Sequence, residues 1–327
     1  MLLLIGTIKA KGGAGLGLAS LENEKLTLLW SDSRLVNPNW QAICPDGRIF
    51  TVHNSPEDPK KGLVSEIRVS QEGMEILSTR ETQGSSPCHL ARSANGRFLL
   101  CANYASGSLS VFSLEKEGIG ELVQLIQHSG TGPHPTRQSS AHIHQVTRIP
   151  NLPDHFCVVD LGIDELVVYR QEENGQLTKS YAIPVPAGQG PRHVAYTSTN
   201  QAYLVTELGN RVYPVHFGEK EGFVEGNGVS TLEDPSLPNT AAALWISRDD
   251  QTLWASNRGE GTLVGFSLPE LKKQAVCTLY GKEPRDFCLL EDGLMVAACQ
   301  DAGLTLLQDG KILDQVEYPG AVRVQPL

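Results

Sequence analysis

The sequence predicts an all-β protein, a seven-bladed β-propeller with four antiparallel strands per blade, folded as one domain over residues 1–327. The first observation behind this prediction is a repeat in which an apolar run ends in a polar residue and a glycine-containing turn follows. The second is that the runs are short, rich in Val, Leu, Phe and Thr, and bounded by hairpin-type turns. The third is the absence of any sustained helical periodicity. Four short strands per unit of roughly 40–50 residues are typical of a propeller blade.

The repeat occurs seven times and spans the chain. Its copies are LLLIGT, IFTVHN, FLLCAN, FCVVD, YLVTE, LWASN and MVAACQ. The polar residues that end them are Thr7, Asn54, Asn103, Asp160, Glu207, Asn257 and Gln300. The third unit shows the internal order well, because the strand-like segments PCHLARS, FLLCAN and SLSVFSLE are separated by the turns NGR and YASG. Seven such units predict seven blades.

The two ends of the chain are predicted to close the ring together. The first unit begins directly with LLLIGT and lacks the preceding strand that every other unit has. The C-terminal segment AVRVQPL resembles GPRHVAY and EPRDFCL, which open other units. We therefore expect the last residues to form the innermost strand of a blade whose other strands come from residues 1–32. Sharing a blade in this way removes two exposed sheet edges.

Composition narrows the classes of partner. A net charge of −10 argues against a nucleic-acid surface, which needs clustered Lys and Arg. The opening run MLLLIG is too short for a signal peptide and no other stretch approaches a membrane span, so a cytoplasmic protein without a membrane partner is expected. Seven cysteines without a C-x-x-C pair suggest neither a disulfide framework nor a zinc site. We expect no cofactor, and a monomer or weak homo-oligomer.

A candidate site follows from the segment AHIHQV. Aligning it with PCHL, GPRHV and EPRDF places one residue of each unit at a common position, namely Trp40, His89, His144, His193, Ala243 and Asp286. The start of the first strand of a blade lies beside the end of its antiparallel neighbour, where the repeated polar residues lie. Polar side chains should therefore converge on one mouth of the channel, which is the usual place for a binding site. The predicted set is His89, His144, Arg192, His193, Arg285, Asn103, Asp160, Glu207, Asn257 and Arg258.

Other roles for these residues remain open. His142 and His144, two apart on a strand, have a metal-ligand spacing with Asp160 as a third ligand, although we favour catalysis and expect no metal. His142, His89 and His193 are equally compatible with backbone hydrogen bonding. Arg192 and Arg258 are alternatively ion-paired struts to Glu207 and Asp160. Asn103 and Asp160 also suit turn capping, and Arg137 lies on a Gly/Pro-rich loop that overhangs the mouth or is simply solvated.

Several motifs in order resemble one known family. They are GTGPHPTRQSSAHIHQV, VVDLGIDELVVY, GQGPRHVAY and VTELGNRV, together with PCHL, CANYASGSLSVF, ASNRGEGTLVGF and EPRDF. This pattern resembles the seven-bladed lactonase family of 6-phosphogluconolactonases and 3-carboxy-cis,cis-muconate cycloisomerases. The resemblance implies a catalytic set of His144, Arg192, Glu207 and Arg258. Departures from the family pattern, at GTIK, His53, Ala141 and Gln145, border the mouth and concern substrate identity.

The implied activity is hydrolysis of an anionic small-molecule lactone, most directly 6-phosphogluconolactone or a related phosphorylated or carboxylated sugar lactone. A muconate-type cycloisomerase is the alternative, and a non-catalytic binding propeller is the second alternative. Hydrolysis needs a base for water, a partner for the oxyanion and a proton for the leaving oxygen. We assign His144 as base and acid, Arg192 and Arg258 as anion holders, and Glu207 as a proton-transfer or orienting group. The remaining predicted substrate-binding residues are His89, Asn103, Tyr104, Arg137, His142, Asp160, His193, Asn257 and Arg285.

Overall fold

The structure, a computed structural model, describes residues 1–327 as seven antiparallel sheets. Its strands, in chain order, are β1 (Leu2–Thr7), β2 (Leu16–Glu22), β3 (Lys25–Asp32), β4 (Val36–Ile43), β5 (Ile49–Asn54), β6 (Gly62–Ser70), β7 (Gly73–Glu81), β8 (Pro87–Arg92), β9 (Phe98–Asn103), β10 (Ser108–Glu115), β11 (Gly118–Gln127), β12 (Ile143–Ile149), β13 (Leu152–Asp160), β14 (Glu165–Gln171), β15 (Leu177–Pro184), β16 (Pro191–Tyr196), β17 (Ala202–Thr206), β18 (Arg211–Phe217), β19 (Gly222–Val224), β20 (Val229–Ser230), β21 (Thr240–Ile246), β22 (Thr252–Arg258), β23 (Thr262–Ser267), β24 (Lys273–Thr278), β25 (Pro284–Leu289), β26 (Leu294–Cys299), β27 (Gly303–Gln308), β28 (Lys311–Glu317) and β29 (Ala321–Pro326). Two single 3₁₀ turns, Lys9–Lys11 and Glu291–Gly293, are the helical segments.

The sheets are the blades of a seven-bladed β-propeller, which confirms the predicted fold class. Blade 1 has the order β29-β1-β2-β3, and blades 2, 3 and 4 are β4 to β7, β8 to β11 and β12 to β15. Blades 5, 6 and 7 are β16 to β20, β21 to β24 and β25 to β28. Blade 5 differs because its outer strand is split into β19 and β20, which both pair with β18. Gly226 and Gly228, each with a φ of 66°, lie between the two pieces, and this left-handed backbone interrupts the ladder.

The predicted closure of the ring is confirmed. β29 pairs antiparallel with β1, from Leu3 opposite Pro326 to Thr7 opposite Ala321. Val324 and Ala321 are fully buried in an apolar cluster that combines blade 1 with blade 7. The C-terminal strand therefore links the last blade to the first.

The cores lie between blades. Each of seven apolar clusters combines side chains from two neighbouring sheets, as where Leu100 of blade 3 packs in one cluster with Phe156 of blade 4. Six of the seven cysteines are buried, and none forms a disulfide. Because hydrophobic burial is the main stabilising contribution, the blades depend on their neighbours. No helix in the structure is long and apolar enough to cross a membrane.

The register of the inner strands corrects one part of the sequence alignment. In blades 3, 4, 5 and 7 a β-bulge near the start of the first strand leaves one residue out of the ladder. The bulged residues are Cys88, His144, Arg192 and Arg285. His144 is thus the counterpart of Arg192, and Gln145 is the counterpart of His89 and His193. Aligning His144 with His193 therefore placed blade 4 one residue out of register with the other blades. The true register follows from the strand pairing, in which Ile143 lies opposite Asp160.

A second correction concerns the strand ends. Thr206 and Cys299, not Glu207 and Gln300, lie opposite the first residues of their inner strands, Pro191 and Pro284. Glu207 is therefore the first residue after the capping position. Its counterparts in other blades are Tyr104, after Asn103, and Arg258, after Asn257.

Candidate active site

Two structurally equivalent sets of residues meet in one cavity of about 280 Å³. The bulge in each inner strand directs its extra side chain toward the channel, and the residue after each capping position lies at the same end of the sheet. The lining residues are Asn39, Cys88, His144, Arg192 and Arg285 from the inner strands, Tyr104, Glu207 and Arg258 from the following strand ends, and Ser86 and Arg137 from loops. The structure thus brings together all four predicted catalytic residues.

The size of this cavity suits a small metabolite, since ligand pockets usually measure roughly 300–1,000 Å³. A larger cavity, of about 800 Å³, is a groove between blades 6 and 7 lined by Trp254, Val276 and Leu294. Its ion pair, Arg248 with Glu291, is exposed, and the groove contains no histidine. Because the smaller cavity contains the buried titratable groups, we place the candidate active site there.

Glu207 is the centre of the charge arrangement. Its side chain is 1% exposed; one carboxylate oxygen, Oε1, bonds Arg137, and the other, Oε2, bonds Arg192 and lies 3.0 Å from Arg258 Nη2. Burial raises the pKa of Glu207, but the three guanidinium groups outweigh burial and hold this pKa well below its usual range. Glu207 is therefore a carboxylate at every physiological pH.

Arg192 joins Glu207 to His144. Its Nη1 donates to both Glu207 Oε2 and His144 Nε2, and its Nε donates to the Ala242 carbonyl at 3.1 Å. Burial lowers the pKa of Arg192 to about 9, against the opposing effect of Glu207, so the guanidinium stays charged at neutral pH. Arg258 Nη2 in turn donates to the Ala241 carbonyl at 3.1 Å. Arg192 and Arg258 therefore form the ion pairs considered as an alternative to catalysis, but both pair with Glu207 and neither pairs with Asp160.

His144 is neutral and its tautomer is defined. Because Nε2 accepts a hydrogen bond from Arg192, the proton of the neutral ring lies on Nδ1, which has no partner in the chain. Burial, reinforced by the charge of Arg192, lowers the pKa of His144 well below its usual value. The ring meets Tyr104 edge to face, with 5.6 Å between centroids.

Arg285 differs from the other arginines of the cavity. It is half-buried, and it makes no hydrogen bond or ion pair within the chain. Burial lowers the pKa of Arg285, as the nearby charge of Arg258 also does. Its guanidinium donors therefore face the cavity without a partner, as expected of a group that binds a ligand anion.

Beneath the site lies a packed aromatic layer. Trp40 stacks on His89 with 4.0 Å between ring centroids, and the Arg323 guanidinium lies 3.8 Å from the Trp40 centroid. His193 borders a cavity of only about 20 Å³, enough for one water. Burial lowers the pKa of His89 to about 3. His89 lines neither cavity, and His193 lines only the small one.

Asn103, Asp160 and Asn257, predicted to bind substrate, do not line the cavity. All three side chains are fully buried. Asn103 Nδ2 donates to Ser110 Oγ at 2.9 Å, and Asn257 Nδ2 donates to the Thr231 carbonyl at 2.8 Å. Asp160 accepts the backbone N–H of His142 and of Gly162. These residues cap strands and turns, which was the alternative role for Asn103 and Asp160.

The metal-ligand spacing of His142 and His144 is not realised as a site. His142 precedes β12, and the bulge at His144 turns the two rings to different surroundings. The His142 ring stacks on Tyr104 with 4.6 Å between centroids, and its Nδ1 lies 3.0 Å from the Tyr104 carbonyl oxygen. No group of three His, Cys, Asp or Glu side chains lies close enough together to hold a metal ion. His142 therefore supports the cavity wall instead of lining it.

Sequence reasoning missed three residues of the cavity, namely Asn39, Ser86 and Cys88. Cys88 Sγ donates to the His144 carbonyl at 3.3 Å, and burial raises the pKa of this thiol to about 12. Cys88 is thus a wall residue that holds the strand of His144, and not a nucleophile. The position directly before Trp40 and His89 in the sequence alignment would have revealed Asn39 and Cys88, because both lie where the inner-strand ladder is interrupted.

Comparisons with known proteins identify relatives of this fold. The family model described as "Lactonase, 7-bladed beta-propeller" matches residues 2–307. A 6-phosphogluconolactonase of Bacillus subtilis is 29% identical over 316 residues, which cover 93% of this chain and 89% of the relative. The structure of a periplasmic gluconolactonase of Pseudomonas aeruginosa is 25% identical, covers 99% of both chains and superposes with a TM-score of 0.91. A protein from Lactobacillus plantarum is 27% identical, with a TM-score of 0.88 over 99% of this chain and 98% of its own.

Proposed function

The chain belongs to the family of seven-bladed β-propeller lactonases, and we propose that it hydrolyses a phosphorylated or carboxylated sugar lactone, with 6-phosphogluconolactone as the first candidate. The observation that carries this proposal is a cavity with four guanidinium groups and a single carboxylate in a chain of net charge −10. Such a site attracts a small anion and offers donors to a developing oxyanion. The name of the Bacillus subtilis relative, 6-phosphogluconolactonase, supports the choice of substrate.

His144 is the proposed base. A base must be unprotonated before it acts, and the lowered pKa of His144 keeps its ring neutral at pH 7. Its Nε2 lone pair is bonded to Arg192 in the free protein. Binding of the substrate anion draws Arg192 toward the ligand, and Nε2 then accepts a proton from the attacking water.

The arginines stabilise the transition state. Water oxygen adds to the lactone carbonyl carbon, and the negative charge that forms on the carbonyl oxygen is met by Arg285 and Arg258 at the cavity wall. The bond between the carbonyl carbon and the ring oxygen then breaks, and the ring oxygen leaves as a hydroxyl with the proton returned by His144. The product is an open-chain acid, which ionises to a carboxylate.

Glu207 acts as an orienting group in this scheme. Its pKa is held well below the usual range, so it is a poor proton acceptor at neutral pH. In the free protein its two oxygens instead hold Arg137, Arg192 and Arg258 around the cavity. This favours orientation over proton transfer among the two predicted roles of Glu207.

A muconate-type cycloisomerase remains the second candidate, because a guanidinium fork binds a carboxylate as well as a phosphate. Activity on a carboxymuconate, measured beside activity on a sugar lactone, distinguishes the two. Cycloisomerisation without lactone hydrolysis would replace the first proposal by the second.

The test of the proposed function is a lactonase assay on freshly generated 6-phosphogluconolactone, with the spontaneous hydrolysis rate subtracted. We expect a protein-dependent rate that saturates with substrate and is proportional to protein concentration. A rate equal to the spontaneous one, at protein concentrations in the micromolar range, contradicts the proposal.

A further inference from the structure

The loop that connects blades 3 and 4 carries Arg137 over the active-site cavity. It covers residues 128–142, between the end of β11 at Gln127 and the start of β12 at Ile143. Loops beyond roughly 12–15 residues without regular structure are uncommon in compact domains, and those that are ordered usually serve a function.

Both ends of the loop are bonded to the same buried carboxylate. Asp160 Oδ2 lies 2.8 Å from His128 Nδ1, and Asp160 Oδ1 accepts the backbone N–H of His142 at 2.7 Å. His128 Nε2 is also 2.9 Å from the Tyr169 hydroxyl. One fully buried side chain thus ties the start of the loop to its end.

The middle of the loop is held by Gln138, which is also fully buried. Its Nε2 donates to the Leu161 carbonyl at 2.9 Å, and its Oε1 accepts the backbone N–H of His134 at 3.1 Å. The loop is therefore bonded at its ends to the last residue of β13 and at its centre to the turn that follows β13. This fixes the backbone of Arg137, the residue next to Gln138.

Arg137 lies at the solvent edge of the cavity with donors to spare. Its side chain is 37% exposed, against 4% for Arg192 and 11% for Arg258 deeper in the site. Only its Nη2 is bonded, to the Tyr104 hydroxyl at 3.2 Å and to Glu207. Nε and Nη1 have no partner within the chain, so N–H groups remain free at the entrance.

From this geometry we infer that Arg137 forms a phosphate subsite at the cavity entrance and selects phosphorylated over unphosphorylated lactones, with Asp160 and Gln138 as positioning residues. The inference rests on the proposed lactone hydrolysis. A lactone whose carbonyl lies against the inner arginines extends its far substituent toward the entrance. There the guanidinium of Arg137 offers a permanent positive charge and the unpaired Nε–H and Nη1–H donors to phosphate oxygens.

The direct test compares two substrates, 6-phosphogluconolactone and unphosphorylated gluconolactone, each corrected for spontaneous hydrolysis. In Arg137→Gln the ratio of kcat/KM for the phosphorylated over the unphosphorylated lactone is expected to fall ~10- to 100-fold, chiefly through KM. The altered contact to Glu207 affects both substrates, so the ratio isolates the phosphate contact. Arg137→Lys, which keeps the charge but not the guanidinium N–H groups, should retain part of the preference.

The matched control is Lys282→Gln. Lys282 lies beside the turn that carries Arg258, with its carbonyl accepting the N–H of Gly259 at 2.7 Å, but it does not line the cavity. Removing this charge tests whether long-range attraction between the protein and the substrate phosphate affects the substrate ratio, while the contacts of Arg137 stay unchanged. The substrate ratio is expected to stay within about twofold of the parent's, because exposed charges are screened over about 10 Å at ordinary salt.

The positioning role is tested by Gln138→Ala. Loss of the buried Gln138 hydrogen bonds should make the loop more mobile. The substrate ratio should then fall, as in Arg137→Gln, by about 3- to 10-fold. A purely structural role would lower the folded fraction and reduce both activities equally. If gluconolactone is not turned over, inhibition by inorganic phosphate gives the readout, and its inhibition constant should rise ~10-fold or more in Arg137→Gln.

The outcomes separate the two proposals. A parent protein that hydrolyses neither lactone contradicts the proposed function itself. A parent that hydrolyses both lactones with equal efficiency, or an Arg137→Gln variant whose substrate ratio equals the parent's, overturns the phosphate subsite and leaves the lactonase proposal standing.

Discussion

At the residue scale, the arginines of the cavity divide into two kinds. Arg192 and Arg258 are bonded to Glu207 and to backbone carbonyls, so some of their N–H donors are already occupied within the chain. Arg285 has no partner in the chain and is available to a ligand. Arg192 and Arg285, which occupy equivalent bulge positions, therefore differ in the free protein: Arg192 is bonded within the chain, and Arg285 is not.

This division predicts different results for two matched substitutions. Arg285→Gln should lower kcat/KM by ~10- to 100-fold, since a charge-assisted contact is lost, while the melting temperature stays near the parent's. Arg192→Gln should lower activity and also destabilise the fold, because breaking a buried ion pair costs about 3–5 kcal/mol. Thermal melts and steady-state kinetics on both variants check this. Equal melting temperatures for the two variants would show that the distinction between them is wrong.

At the element scale, the β-bulges explain why the sequence predicted the strands better than the side-chain directions. Apolar runs and turn residues were enough to place the blades, including the shared blade of β1 and β29. The bulge in each inner strand is not visible in the hydrophobic pattern, so His144 was aligned with His193 instead of Arg192. Likewise Thr206 and Glu207 are both polar, and only the pairing of Thr206 with Pro191 shows which one caps the strand.

The closure by β29 gives a prediction at this scale. Deleting residues 321–327 removes the innermost strand of blade 1 and its buried Ala321 and Val324, and exposes the edge of β1. We expect a large fall in melting temperature or failure to fold. Deleting Leu327 alone, which lies beyond the strand, is the control and should change little. A seven-residue deletion that melts like the parent would contradict the observed strand order.

At the scale of the whole molecule, the buried histidines set the response to acid. Burial lowers the pKa of His53 to about 4 and that of His89 to about 3, and it lowers the pKa values of His144 and His193 well below the usual value. These rings are neutral in the fold, whereas in the unfolded chain they take up protons below about pH 6.5. The unfolded state then binds more protons, so stability falls as the pH falls.

The expected result is a free energy of unfolding that decreases between pH 6.5 and pH 5, by up to about 1.4 kcal/mol per pH unit for each such histidine. Carboxylates with lowered pKa values, such as Asp32 and Asp314, reduce the free energy of unfolding only near and below pH 4, where they become protonated. Urea unfolding at several pH values measures the slope. His53→Gln, which lies outside the active site, should reduce this slope, and an unchanged slope would contradict the assignment.

The central claim is that His144 transfers protons in the hydrolysis of a lactone, and His144→Gln tests it most directly. Glutamine can still accept the hydrogen bond from Arg192 but cannot take up a proton, so it separates catalysis from support of Arg192. The measurement is kcat on 6-phosphogluconolactone for the parent and for His144→Gln, with spontaneous hydrolysis subtracted and folding verified by thermal melting. We predict a loss of ~10²- to 10⁴-fold in kcat. A folded His144→Gln variant with kcat near the parent's would contradict the account.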